Sequence, residues 1–192
     1  MTKHPIATII MENGAVITIE LYPEEAPNTV NSFISLANQG LFDSHAIQRI
    51  IPGYVVDASY TAFGRDACKY LIPNESRSNG VANNIRIEPG VIAMGGYDNG
   101  IAGGEFFFPL AYHEKLDGNY PAFGKIISGL EEILSWGRLP LRPITSPEYP
   151  GIMINEPVTP LVIASIRVET FGAAYPQPMK LPMNEYGRPP SW

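Results

Sequence analysis

Glycine and proline interrupt this chain so often that long helices have nowhere to form: there are 18 glycines and 19 prolines among 192 residues. Average usage of the two together is roughly 12%. Glycine weakens a helix interior through backbone entropy, and proline through its missing N–H and its ring. Apolar residues still make up 45% of the chain, enough for a sizeable core, and the length predicts one domain. The combination argues for many short strands joined by turns and loops.

The strands can be placed by pattern. Ile6–Met11 and Ala15–Leu21 flank Glu12-Asn13-Gly14. Asn-Gly between apolar runs is a strong hairpin signal, read here as a turn in which both residues accept positive φ. Ala15, Ile17, Ile19 and Leu21 share one face of the second strand. A helix starts at Pro27 and runs to Asn38, with Val30, Phe33, Ile34 and Ala37 at helical spacing and Gly40 as its stop. Further strands are expected at Ala46–Ile51, Tyr54–Tyr60, Val91–Met94, Glu105–Phe108, Ala122–Ile127 and Leu161–Val168. Leu130–Trp136 reads as a second helix, with Leu130, Ile133 and Leu134 inward. Gly64–Pro89, Gly95–Gly104 and the proline-rich Leu139–Pro160 read as loops. By composition 171–192 is a proline-rich arm added to a barrel domain over 1–170. Because closure removes exposed edges, a closed antiparallel barrel with two helices is the expected architecture.

Charge and cysteine content exclude several functions. Thirteen basic against nineteen acidic residues leave a net charge of −6, which disfavours a broad grip on nucleic acid. No apolar stretch approaches the ~20 residues that span a bilayer. The first residues do not form a secretory or transit signal. The single cysteine, Cys68, excludes an internal disulfide framework, and a reducing, cytoplasmic home is expected. His4, His45 and His113 lack ligand spacing, so no metal site is expected. The paired glycines Gly95-Gly96 and Gly103-Gly104 lack the strand–loop–helix setting of a phosphate cradle.

Chemistry concentrates on three strands. Alternation puts Arg49 on the face of Ile47 and Ile51, groups Val55, Asp57 and Ser59, and sets Glu105 with Phe107. As neighbours, these strands would assemble one cation and two carboxylates among apolar walls. Arg49 alone is compatible with a rim arginine in a salt bridge, and the two carboxylates with a hydrolytic pair.

The order of motifs carries more. Glu20-Leu-Tyr-Pro-Glu-Glu-Ala-Pro-Asn-Thr-Val-Asn-Ser-Phe, Gln48-Arg-Ile-Ile-Pro-Gly-Tyr, Glu88-Pro-Gly-Val-Ile-Ala-Met, Gly104-Glu-Phe-Phe-Phe and Leu116-Asp-Gly-Asn-Tyr-Pro-Ala-Phe-Gly-Lys follow one another in a register that resembles the cyclophilin-type peptidyl-prolyl isomerases, from about Ile6 to Val168. The resemblance implies an eight-stranded antiparallel barrel capped by two helices. It also implies isomerase activity assisting protein folding, proline-containing peptides or unfolded proteins as partners, and no cofactor. Arg49 matches the family's catalytic arginine and Phe107 the floor of its proline pocket. Met94, Leu116 and Phe123 are carried over as the apolar neighbours of Phe107, with Tyr54, Val55, Gly95, Gly96 and Tyr120 along the groove. Departures are concentrated there. Gln48 replaces a histidine, Asp57 and Glu105 replace two glutamines, Ala58-Ser59-Tyr60 replaces Gly-Gly-Asp, and Gly95-Gly96-Tyr97 replaces Ala-Asn-Ala. Lys115 replaces a tryptophan, which implies weak cyclosporin binding.

Two expectations follow from these departures. Asp57 and Glu105 change the local charge around Arg49 from +1 to about −1, so activity is expected to be reduced and to favour substrates with basic residues near the proline. A proline-peptide-binding module with negligible turnover is the alternative. The arm carries Lys180 and Arg188 against Glu185, net +1 beside a body of 11 basic and 18 acidic residues, which suggests self-contact through the arm.

Overall fold

The computed structural model describes residues 3–59, 66–68, 70–97, 100–145 and 154–182. The opening hairpin pairs β1 (Ile6–Met11) with β2 (Val16–Leu21), Ile10 lying opposite Val16. Its turn differs from the expected one. Only Gly14, at φ +88°, is left-handed. Met11 N donates to Ala15 O, closing a three-residue loop over Glu12-Asn13-Gly14. The Asn13 side chain accepts from Ala15 N instead of its backbone adopting positive φ, so one glycine suffices.

Helix α1 (Pro27–Asn38) follows, burying Val30, Phe33, Ile34 and Ala37 as expected, together with Leu36 and Ser32. Proline supplies its first turn, but Ala26 offers no capping side chain. The cap comes from far along the chain: the Glu75 carboxylate accepts from Asn28 N, Thr29 N and Thr29 Oγ1 at 2.8–2.9 Å. A carboxylate there also meets the positive end of the helix dipole. Glu75→Ala is therefore expected to cost about 1–2 kcal/mol, read as a lowered midpoint in thermal unfolding; an unchanged midpoint would refute the capping role.

The remaining strands are β3 (His45–Ala46), β4 (Arg49–Ile51), β5 (Val55–Asp57), β6 (Leu71–Ile72), β7 (Val91–Tyr97), β8 (Gly100–Pro109), β9 (Ala122–Ser128), β10 (Leu141–Ile144), β11 (Ile154–Pro157) and β12 (Val162–Glu169). Helix α2 (Leu130–Trp136) buries Ile133 and Trp136; Leu130 and Leu134 are only half-buried. The main sheet has ten strands in the order β3-β12-β1-β2-β9-β7-β8-β5-β4, with β6 also on β8. Every pairing in it is antiparallel. The fold is thus mainly β with two helices, as expected, but the described ladders form a curled sheet and not a closed eight-stranded ring. Its two edges, β3 and β4, lie on one chain segment separated only by Ile47-Gln48.

Two loop assignments are overturned, and a third, Gly64–Pro89, stays mostly loop among its described residues. Gly95–Gly104 belongs largely to the β7–β8 hairpin, Gly96 lying opposite Ile101. Its glycines make it look loop-like, yet an added Cβ on Gly103 would collide with the Tyr70 ring, and one on Gly104 would meet Leu36. Small residues are needed there because other elements press onto the strand. Leu139–Pro160 contains a separate two-stranded sheet, β10 with β11, in which Pro143 faces Asn155 and Leu141 faces Pro157. A ribbon with two free edges tolerates proline where an interior strand would not. Gly64–Pro89 contains the short strand β6 and two 3-10 turns, Asp66–Cys68 and Arg77–Asn79.

The curled sheet wraps a core of Ile9, Met11, Ile17, Ile19, Leu21, Phe33, Phe42, Phe106, Phe108, Phe123 and Trp136, all essentially inaccessible. Phe106 meets Phe33 and Phe42 edge-on, at 5.4 and 5.3 Å. Residues 171–182 of the arm pack on this body. Asn28 exchanges two hydrogen bonds with the Met179 backbone, Leu181 N donates to Leu71 O, and Lys180 covers the Tyr70 ring at 4.0 Å. Glu185, Arg188, Pro189 and Pro190 lie outside the described residues.

Candidate active site

A second, smaller apolar cluster lies on the opposite face of β5, β7, β8 and β9 from the main core. It contains Val55, Ile85, Ile87, Val91, Ala93, Phe107, Leu116 and Ala122, with Tyr54 and Tyr120 packed against it. Register explains how it forms. Arg49 lies opposite Asp57 on β4–β5, Asp57 opposite Phe107 on β5–β8, Phe107 opposite Ala93 on β8–β7, and Ala93 opposite Ala122 on β7–β9. Residues paired across an antiparallel ladder point to the same face. One row across five strands therefore runs from a cation, through a carboxylate, to an aromatic floor and two alanines.

At the charged end, Arg49 Nη1 and Asp57 Oδ2 form an ion pair. Arg49 is 3% exposed, which makes the pairing a condition of its burial. Glu105 stands two residues before Phe107 on β8, on the same face, and is 6% exposed. These three charged groups sum to −1. Tyr54 has its hydroxyl pKa raised by burial, with the Arg49 guanidinium pulling the other way, so its ring lies within the field of the cation. It meets His113 edge-on at 4.5 Å, and Tyr120 meets Phe107 the same way at 5.8 Å. At the far end Leu116 is 1% exposed. Its turn is held by Asp117, which accepts from Ile87 N at 2.9 Å and from Arg77 at 2.8 Å.

Most of the expected site residues come together: Arg49, Tyr54, Val55, Asp57, Glu105, Phe107, Leu116 and Tyr120. Gly95 and Gly96 border them on β7. An added Cβ on Gly95 would lie 3.0 Å from Glu105 O. Met94 and Phe123 do not join them. Both are inaccessible members of the main core, Met94 being paired with Phe106 and not with Phe107. The residues beside Phe107 are instead Ala93 and Ala122, one position earlier on each strand. Alternation contained that signal, because two strands that pair face to face must present Ala93 if Met94 points inward.

Ile47 is a second correction. It belongs to the main core and is 1% exposed. The segment is two strands broken at Ile47-Gln48, so alternation from Arg49 does not extend to it. Ser59 was grouped with Asp57 but does not line the floor. It is fully buried, its Oγ donating to Gly104 O at 2.7 Å and accepting from Phe106 N at 2.8 Å. Asp117, Ile85 and Ile87 were missed; the long loop that carries the isoleucines offers no periodicity to place them.

Among the described residues no group of three His, Cys, Asp or Glu side chains is arranged to hold a metal ion, and no helix is long and apolar enough to cross a membrane.

The chain is similar to known proteins of one family. The family model described as cyclophilin type peptidyl-prolyl cis-trans isomerase/CLD matches residues 6–166. Peptidyl-prolyl cis-trans isomerase B of Bacillus subtilis is 35% identical over 123 residues, covering 64% of this chain and 83% of that protein. Peptidyl-prolyl cis-trans isomerase ppi1 of Schizosaccharomyces pombe is 31% identical over 116 residues, covering 59% and 74%. In fold, the chain is similar to a cyclophilin type peptidyl-prolyl cis-trans isomerase of Cryptosporidium parvum, with TM-score 0.66 at 19% identity, covering 86% of this chain and 98% of that one. The same Cryptosporidium protein has been crystallised in the presence of the dipeptide Ala-Pro, and that structure aligns with TM-score 0.65 at 20% identity over 85% of this chain and 98% of that one. A row from arginine to phenylalanine across a curled antiparallel sheet, and a family match over nearly the whole described body, lead to one conclusion: this chain belongs to the cyclophilin-type peptidyl-prolyl cis-trans isomerases.

Proposed function

We propose that this protein isomerises X–Pro bonds over Phe107, with Arg49 as the catalytic residue. The observation that carries the reading is the single row in which a buried guanidinium stands beside an apolar floor. Rotation about a prolyl amide is slow because resonance sets a barrier of ~20 kcal/mol. No bond needs to be broken. The prolyl nitrogen must lose conjugation and become pyramidal, which frees a lone pair that accepts a hydrogen bond. Arginine suits that step, being permanently charged and carrying several N–H donors. Phe107, Val55, Leu116, Ala93 and Ala122 hold the ring, while Tyr54 and Tyr120 stand at its sides. The preceding carbonyl is then free to swing.

Asp57 shapes the rate. Its pairing with Arg49 fixes the guanidinium, yet it also takes up donor capacity and dilutes the positive field. Reduced but real turnover is the expected outcome. The same ion pair supports a second reading, in which the groove binds proline segments without accelerating rotation. Exchange NMR on an Ala-Pro tetrapeptide separates the two. Cis and trans signals that interconvert faster than in buffer alone support catalysis. Shifted signals whose interconversion stays at the uncatalysed rate would support the binding module.

A further inference from the structure

We propose that His113 is a positioning residue that fixes two parts of the proline pocket, Tyr54 and Leu116, relative to each other. The proposal rests on the reading of this groove as the isomerase site and adds a residue that acts on it through others.

The side chain of His113 reaches the first part. Tyr54 ends the turn that joins β4 to β5: Tyr54 N donates to Ile51 O at 2.9 Å, and Gly53 is left-handed at φ +71°. His113 Nε2 lies 3.1 Å from Gly53 O. A carbonyl can only accept, so Nε2 carries the proton and donates. The same imidazole meets the Tyr54 ring edge-on, with centroids 4.5 Å apart and planes at 82° short of neither stacking nor splaying but at 76°. An edge set against a π-face is a favourable arrangement. One side chain thus grips both the backbone of the turn and the aromatic ring that the turn presents.

The backbone of His113 reaches the second part. His113 O accepts from Leu116 N at 3.0 Å and from Asp117 N at 3.1 Å, so the turn that carries Leu116 starts at this residue. Leu116 belongs to the apolar cluster of Phe107, and Tyr54 packs against that cluster. The chain leaving β8 is already tied to Tyr54 before it arrives, because Leu110 N donates to Tyr54 O at 2.8 Å. Next to His113, the Tyr112 ring is covered by the Arg86 guanidinium at 4.1 Å. That contact fastens the same segment to the stretch bringing Ile85 and Ile87 into the cluster.

A pocket whose walls are set before the ligand arrives binds more tightly than one ordered on binding. Freeing Tyr54 therefore weakens substrate binding. The rotation step is affected less, because Arg49 takes its place from Asp57 across the β4–β5 ladder.

The test measures kcat and KM for an Ala-Pro tetrapeptide. His113→Ala is expected to raise KM by about three- to tenfold, the worth of one hydrogen bond and one ring contact, while kcat changes by less than about twofold. His113→Phe keeps an aromatic edge without the donor, and His113→Gln keeps a donor without the ring; each should recover part of the loss. In the proton NMR spectrum of the free protein, the Tyr54 ring signals should shift in His113→Ala and move back in His113→Phe. On a Tyr54→Ala background, His113→Ala should add little to KM. If His113→Ala is poorly folded, His113→Phe, which fills the same space, carries the comparison. An unchanged KM, unmoved Tyr54 signals or losses that add in full on the Tyr54→Ala background would overturn the proposal. If wild type turns over no peptide, the isomerase reading fails separately, and the dissociation constant from NMR titration with the same peptide replaces KM. Weaker binding in His113→Ala then supports the positioning role; equal binding refutes it.

Discussion

Arg49→Ala is expected to lower kcat/KM for X–Pro isomerisation by 10²–10³, the loss of roughly 3–4 kcal/mol of hydrogen bonding confined to the transition state. The substitution has a second consequence that must be separated from the first. Arg49 is the ion-pair partner of Asp57, whose side chain is only 13% exposed. Removing one member of a buried pair leaves the other charge uncompensated, at a cost of about 3–5 kcal/mol. Thermal unfolding will therefore show a lowered midpoint, and a poorly folded variant could mimic a catalytic defect. Arg49→Ala combined with Asp57→Asn removes the stranded charge. If Arg49 is catalytic, the double variant regains stability but not activity. Arg49→Lys supplies the complementary control, since it keeps the charge and loses the planar fork of donors. Its activity should lie between wild type and Arg49→Ala. A stable double variant with near wild-type turnover would remove Arg49 from the mechanism.

The second large effect concerns stability alone. Gly103→Ala should lower the thermal midpoint by about 10 °C, corresponding to ~3–5 kcal/mol in a domain of this size. The reason is local. The position a Cβ would take at Gly103 is occupied by the Tyr70 ring. Tyr70 cannot easily yield, because its hydroxyl is 2.7 Å from Ser32 Oγ, which in turn donates to Gly103 O. Gly103 N donates to Tyr70 O at 2.8 Å, and Lys180 lies over the ring, 4.0 Å from its centroid. Moving the ring breaks buried hydrogen bonds as well as packing. A double-mutant cycle with Tyr70→Ala isolates the contact: on that background Gly103→Ala should cost little. Additive losses would show that the strain lies elsewhere.

Elements with strong local signals were legible in the sequence. The β1–β2 hairpin, α1 and α2 each combine periodicity with a stop or turn residue, and their bounds agree within a residue. What escaped depends on contacts distant in the chain. Glu75 caps α1 from a loop whose sequence carries no hint of that role. The β10–β11 ribbon is hidden because Pro143 and Pro157 suppress its strand pattern. Gly100–Gly104 looks like a loop because nothing local says that Tyr70, Leu36 and Leu181 crowd against it. The site shows the same division. The row from Arg49 through Asp57 to Phe107 follows from alternation once the strands are neighbours. The neighbours of the floor do not follow from motif matching, which selected the large residues Met94 and Phe123 where the small ones, Ala93 and Ala122, share the row and the cluster of Phe107. Ile47 failed because alternation was continued through a break that only tertiary pairing creates.

The pairing of β1 with β12, Ile6 opposite Glu169, also bears on how the protein comes to be folded. Half of the hydrogen-bonding capacity of β1 waits for a strand made more than a hundred and fifty residues later. At 5–20 residues per second of synthesis that interval is on the order of ten seconds. Through it, the apolar face of Ala7, Ile9 and Met11 has β2 as a neighbour but not β12. Non-local pairing of this kind raises contact order and slows folding relative to helical domains of equal size. Emergence of β12 from the ribosome is thus the event that lets β1 and β3 join one curled sheet, and until then β1 keeps an unpaired edge open to misassociation.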